Sequence, residues 1–168
     1  MLFSVGSAQK VDYSPCTFGN VSQVVCISHP ASKVLEAFRR NEKFADTKQI
    51  YLLNIVDMTD ANLEEILNIA AKTSGDKIEI LSFYGLNLVT KVPAALQKFT
   101  ALDVLYMWEM GGIETVPAGA FNLKSENLHS IKFNINSNLK SIAPGAFKGI
   151  NFLFLKYQPF STVTFKFR

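Results

Sequence analysis

The residue types that carry acid–base or metal chemistry are few in this chain, and their spacing assembles no catalytic constellation. His29 and His129 lie a hundred residues apart. His29 precedes Pro30 and reads as loop. His129 falls at the surface of a predicted strand, and neither is read as catalytic. Asp57, Asp60, Glu64 and Glu65 form an acidic cluster. Its spacing matches no calcium loop. Glu64 and Glu65, adjacent on a helix, cannot converge on one proton, so the cluster reads as helix-cap and first-turn charge that offsets the helix dipole. Two cysteines cannot build a four-ligand zinc site by themselves, and only two histidines are available to help. Phosphate-binding loops and nucleophile elbows are absent. The expectation is a protein that is not an enzyme, with no catalytic residue, metal or cofactor.

The chemistry left is covalent modification. Cys16 and Cys26 lie ten apart. A disulfide between them would close a loop of about 11 residues and stabilise by about 3 kcal/mol in the chain-entropy model. The alternative is two buried thiols. Asn20-Val21-Ser22, between the cysteines, is a glycosylation acceptor sequence. Met1–Val5 is a short apolar run, followed by Gly6-Ser7-Ala8. It resembles the tail of a secretory signal peptide cut after Ala8, although the apolar part is shorter than usual and no basic segment precedes it. These three features agree on a secreted, extracellular, disulfide-bonded glycoprotein.

Positioning must come from a folded core. The chain has 168 residues, 48% hydrophobic and 18% charged, so it is not disordered. A net charge of +3 is too small and too dispersed for nucleic acid. No apolar run reaches the length of a membrane span.

The core is written as a repeat. Leu102, Leu105, Met107, Ile113, Val116, Pro117 and Gly119-Ala120-Phe121 align without gaps on Leu128, Ile131, Phe133, Leu139, Ile142, Ala143 and Gly145-Ala146-Phe147, 26 residues later. An earlier copy holds Ile78, Leu81, Phe83, Val89, Val92 and Pro93. A degenerate one, set 28 residues before that, holds Ile50, Leu53 and Ile55, and Ile150, Leu153 and Leu155 open a fifth. Counting from Ile78, Leu102 and Leu128 as position one, positions four and six point inward from a short strand. The later apolar residues fold back to fill the same interior, and stacked copies share one continuous core.

Val116-Pro117-Ala118-Gly119-Ala120-Phe121 and Ile142-Ala143-Pro144-Gly145-Ala146-Phe147 resemble the extracellular leucine-rich repeat family over about residues 50–155. The wider layout has a short Cys-containing start, a Val-Cys step and a helical segment ending in Ala37-Phe38, followed by irregular repeats. It is similar to a group of secreted arthropod proteins related to the non-catalytic subunit of a shrimp luciferase. The resemblance implies an α/β leucine-rich repeat solenoid: a curved parallel sheet on the concave side, short helices and loops on the convex side, and an N-terminal disulfide cap. It also implies a companion subunit in a heteromer. The chain departs from the family at position nine, usually Asn, where Met58, Leu86 and Met110 stand and only Asn136 conforms; packing must hold those turns. The expected organisation is leader over 1–15, cap over 16–45, and repeats with a terminal strand over 46–168.

Two helices complete the reading. Ser32 caps Lys33–Arg40, with Val34, Leu35 and Phe38 on one face. Asp60 caps Ala61–Lys72, with Leu63, Ile66, Leu67 and Ala70 on one face and Gly75 past the end. Lys33, Arg39, Arg40 and Lys43 read as a solvated face.

What remains is a surface. Odd strand positions face the concave side: Leu52, Asn54, Val56; Ile80, Ser82, Tyr84; Val104, Tyr106, Trp108; Ser130, Lys132, Asn134. Tyr84, Tyr106 and Trp108, with Glu109 and Lys132 as polar edges, have the composition of a protein-binding hot spot. The alternative is that Trp108 only covers its neighbours on the sheet. The face suits a peptide, a loop or a domain edge. The other functional reading is an extracellular carrier of small apolar ligands, motivated by 14 Phe and the apolar third positions.

Overall fold

The computed structural model describes residues 15–19, 22–40, 46–134, 138–148 and 150. The leader up to residue 14, Asn20 of the glycosylation sequence, Lys43, Asn136, the fifth copy beyond Ile150 and the terminal strand lie outside the described residues. The chain is a mixed α/β fold whose main sheet is largely parallel. β1 (Cys16–Gly19) and β2 (Gln23–Ile27) form an antiparallel pair. β3 (Gln49–Leu53), β4 (Ile80–Tyr84), β5 (Val104–Trp108) and β7 (Ser130–Asn134) then add in parallel, in chain order, to β2. Two short strands, β6 (Thr115–Val116) and β8 (Ser141–Ile142), pair separately and in parallel.

Register follows the apolar pattern. Leu105 pairs with Ile131 and Met107 with Phe133, the gapless 26-residue match. Leu81 pairs with Leu105 and Phe83 with Met107. In each strand these two positions are buried and their neighbours are not. The earliest match needs correcting. Ile50 pairs with Leu81 and Leu52 with Phe83, a step of 31 residues instead of 28. Leu52 is therefore fully buried and Tyr51 and Leu53 turn outward. Position nine of this copy is Ile55, not Met58. β2 continues the pattern, with Val24 against Ile50 and Cys26 against Leu52, both inside.

The same backbone bonds recur at each junction. The carbonyl of position two accepts two N–H groups from the next copy: Lys48 and Gln49 donate to Ser22, Glu79 and Ile80 to Lys48, Asp103 and Val104 to Glu79, and His129 and Ser130 to Asp103. At the other end of each strand the chain turns left-handed. Ser28, Asn54, Gly85 and Glu109, all at position eight, have φ of 53°, 53°, 68° and 51°. The N–H of Ser28, Asn54 and Gly85 each bonds the carbonyl one strand further on, at Leu53, Tyr84 and Trp108. A Cβ on Gly85 would stand 2.5 Å from Asn54 Oδ1, the movable end of a side chain, so glycine here serves the positive φ. Position nine is packed shut: Ile55 and Leu86 are fully buried and Met110 nearly so. Hydrophobic side chains hold these turns.

The chain between strands forms the back layer. α1 (Ala31–Arg40) buries Ala31, Val34, Leu35 and Phe38. α2 (Asp60–Ser74) buries Leu63, Ile66, Leu67, Ala70 and Ser74. α1 packs on α2, and α2 on a 3-10 helix at Ala94–Lys98. The expected caps differ. Ser32 lies inside α1, whose first N–H, on Ala31, is bonded by Asp57 Oδ1 at 2.8 Å from the next copy. α2 is capped by Thr59, whose hydroxyl accepts the Asn62 N–H at 3.3 Å. Asp60 instead accepts the N–H of Thr90 at 2.8 Å and of Lys91 at 3.3 Å, one copy later. Gly75 follows α2 as expected, but with φ −61°, so close packing selects it: a Cβ would lie 2.5 Å from the Ala71 carbonyl oxygen and 3.0 Å from that of Lys98. In the last two copies the Gly-Ala-Phe triplets form the back. Gly119 and Gly145 have φ of 72° and 77°, and Phe121 stacks on Phe147.

The Cys16–Cys26 disulfide forms, joining directly opposed residues of β1 and β2, and both cysteines are buried. Among the described residues no helix is long and apolar enough to cross a membrane.

Candidate interaction face

The outer side of the sheet carries two ordered rows. Strand alternation turns the last residue of each strand outward, and the parallel register aligns Ile27, Leu53, Tyr84 and Trp108. Two positions earlier, Val25, Tyr51, Ser82, Tyr106 and Lys132 align across five strands. Trp108 is 39% exposed and Ile27 48%. The other large exposed hydrophobics among the described residues, Val56 and Leu88, follow the ends of β3 and β4 by three and four residues.

These rows bring the predicted residues together. Tyr84 stands beside Trp108 across the sheet. Tyr106 meets Trp108 edge to face, with centroids 5.7 Å apart and planes at 89°, a favourable quadrupole arrangement. Lys132 Nζ lies 5.0 Å from the Tyr106 ring centre, within cation–π range. The Glu109 carboxylate, acting first as a hydrogen-bond acceptor for the phenol and then through its charge, raises Tyr84 above its ordinary value. The Tyr51 phenol is also raised, first by burial and then by the charge of Tyr106, two strands away. The Tyr51 hydroxyl donates to Gln49 Oε1 at 2.9 Å.

Sequence reasoning missed Ile27, Tyr51 and Leu53. The 28-residue offset had placed Leu52 outside. The signal was present in Gln49-Ile50-Tyr51-Leu52-Leu53, which matches Ile80–Tyr84 when Ile50 is set on Leu81.

The remaining polar candidates serve neighbouring copies. His129 is exposed, with Nδ1 2.6 Å from Asp103 Oδ1. The acidic cluster is dispersed: Asp57 caps α1, Asp60 holds Thr90, and Glu65 bonds Arg39 at 2.6 Å. Lys33 and Arg40 both pair with Glu36 within α1. Among the described residues no group of three or more His, Cys, Asp or Glu gathers as metal ligands. Phe38, Phe83, Phe99, Phe121 and Phe133, five of the 14 phenylalanines, lie in the core. No family model, curated protein or solved structure matches the chain.

Proposed function

We propose that this chain is a secreted, non-enzymatic leucine-rich repeat protein that binds a protein partner through the outer, concave face of its sheet. The repeat reading is supported by the strand register, which follows the inward-facing apolar positions from copy to copy, and by the junction bonds that recur at each step. The secreted reading is supported by the disulfide.

One observation carries the binding reading. Ile27, Leu53, Tyr84 and Trp108 form a continuous apolar and aromatic row across four strands, with Ile27 and Trp108 exposed at its two ends. Concentrated apolar exposure with aromatic anchors marks interaction sites. The sequence resemblance extends this reading to a companion subunit in a heteromer.

The test is the native mass of the endogenous protein from extracellular fluid, by size exclusion with light scattering, with co-eluting chains identified. A heteromer that re-forms with recombinant wild-type chain and is lost with folded Trp108→Ala supports the reading. A glycosylated monomer alone overturns the companion-subunit role, and a heteromer indifferent to Trp108→Ala overturns the face.

A further inference from the structure

The row Val25, Tyr51, Ser82, Tyr106, Lys132 alternates in height. Tyr51 and Tyr106 are ridges. Val25 and Ser82 are low ground, with Ser82 flanked by a tyrosine on each side. Lys132 is the one charged residue at an outward position of the described parallel strands, and it is the last of them in the row. The backbone positions of the two low residues and the lysine are two strands apart each, about 9.6 Å, and the Lys132 ammonium leans back over the Tyr106 ring, 5.0 Å from its centre. A polyproline II helix repeats every three residues, about 9.3 Å. Six residue steps of such a helix span about 18.6 Å, against about 19 Å for the four strand gaps from Val25 to Lys132.

We propose that the occupant of this face is a proline-rich segment of a partner protein in the polyproline II conformation. It lies across the strands with one proline over Val25, a second over Ser82 and a carboxylate over Lys132. The motif is Pro-x-x-Pro-x-x-Asp/Glu, or its reverse along the chain. This deepens the protein-binding reading above and rests on it. Charge decides the class of occupant. The outward positions of the described parallel strands carry one charge, Lys132, so a highly charged segment would leave most of its charges desolvated and unpaired. A proline-rich helix is neutral and already extended, loses little entropy on binding, and is recognised by aromatic-lined grooves. The lone ammonium then fixes one end and the direction.

The test uses the full chain and two labelled peptide mixtures, Pro-x-x-Pro-x-x-Glu and Glu-x-x-Pro-x-x-Pro, followed by fluorescence polarisation. One mixture is expected to bind. Changing its Glu to Lys, or either Pro to Ala, weakens binding by roughly tenfold. Ser82→Tyr, which fills the central slot, abolishes it. Lys132→Glu reverses the preference, so that the Lys-ended mixture binds better than the Glu-ended one; this readout survives if Ser82→Tyr misfolds. Binding by neither mixture, or binding with no charge reversal, overturns the proposal. If that happens while the native partner still requires Trp108, the protein-binding reading stands and only the polyproline assignment falls. If a neutral oligosaccharide binds this face instead, both fall.

Discussion

The ring of Phe121 lies flat on that of Phe147, with centroids 4.7 Å apart and planes within 6° of parallel. The two residues are the same position in successive copies. Phe121 also meets Phe133 edge to face at 5.5 Å, so one fully buried ring joins the back layer to the sheet. Phe121→Ala is expected to cost about 3–5 kcal/mol. Phe147→Ala, at a half-buried site, should cost clearly less. Denaturant midpoints of both variants check the order; equal losses would mean that the stack does not share one core.

Gly75 and Gly119 separate two reasons for glycine. At Gly75 the obstacle is space, because two backbone oxygens crowd a Cβ. At Gly119 nothing lies within 4 Å, and the obstacle is φ alone. Gly119→Ala should cost about 1–2 kcal/mol. Gly75→Ala should cost about 1–3 kcal/mol as overpacking and should loosen the contact of Thr100 N–H with the Gly75 carbonyl, now 3.0 Å. Amide exchange at Thr100 is the discriminating measurement: it should quicken in Gly75→Ala and not in Gly119→Ala.

The disulfide ties an antiparallel strand to the first strand of the parallel ladder. Replacing Cys16 and Cys26 together by Ser should lower stability by about 3 kcal/mol, with two buried hydroxyls adding to the loss. Protection of amides in β1 should fall first, while β4 and β5 keep theirs. Uniform loss across the sheet would show that the N-terminal pair is integral to the whole cooperative unit.

Alkaline titration reports on the outer face. The folded-state pKa values of Tyr51 and Tyr84 lie above their ordinary values, so the folded chain holds these protons more tightly than the unfolded one. Their contribution is present below the ordinary tyrosine pKa, near 10, and is lost as pH rises through the folded values. Tyrosinate absorbance should show delayed groups. Glu109→Gln should bring Tyr84 back toward its ordinary value and leave Tyr51 delayed. No change in Glu109→Gln would remove Glu109 as the cause.

Legibility in the sequence depended on where length varied. The 26-residue match of Leu102–Phe121 to Leu128–Phe147 has no gap, and every inward residue on it was readable. The copy holding β3 is 31 residues long, because a full helix, α2, fills its back. That length shifted the strand phase and hid Tyr51 and Leu53. The caps were unreadable for a different reason. Asp57 bonds Ala31 from 26 residues away and Asp60 bonds Thr90 from 30 residues away, whereas capping rules inspect only adjacent residues. The left-handed turns at Ser28 and Glu109 were also silent, since neither residue type announces a positive φ. The aromatic trio was legible, because Tyr84, Tyr106 and Trp108 sit in copies whose register was right.

The back layer changes thickness along the chain. α1 and α2 back adjacent strands β2 and β3. Packed helix axes stand about 8–10 Å apart, but strands advance only about 4.8 Å. The two layers can stay in step there only as inner and outer arcs of a bend. Farther on, β6 and β8, which follow β5 and β7 in the chain, form a strand pair of their own, and strand pairs share one pitch. The need for a bend is therefore greatest beside β2 and β3, where Tyr51 lies, and least beside β5 and β7, where Tyr106 and Lys132 lie.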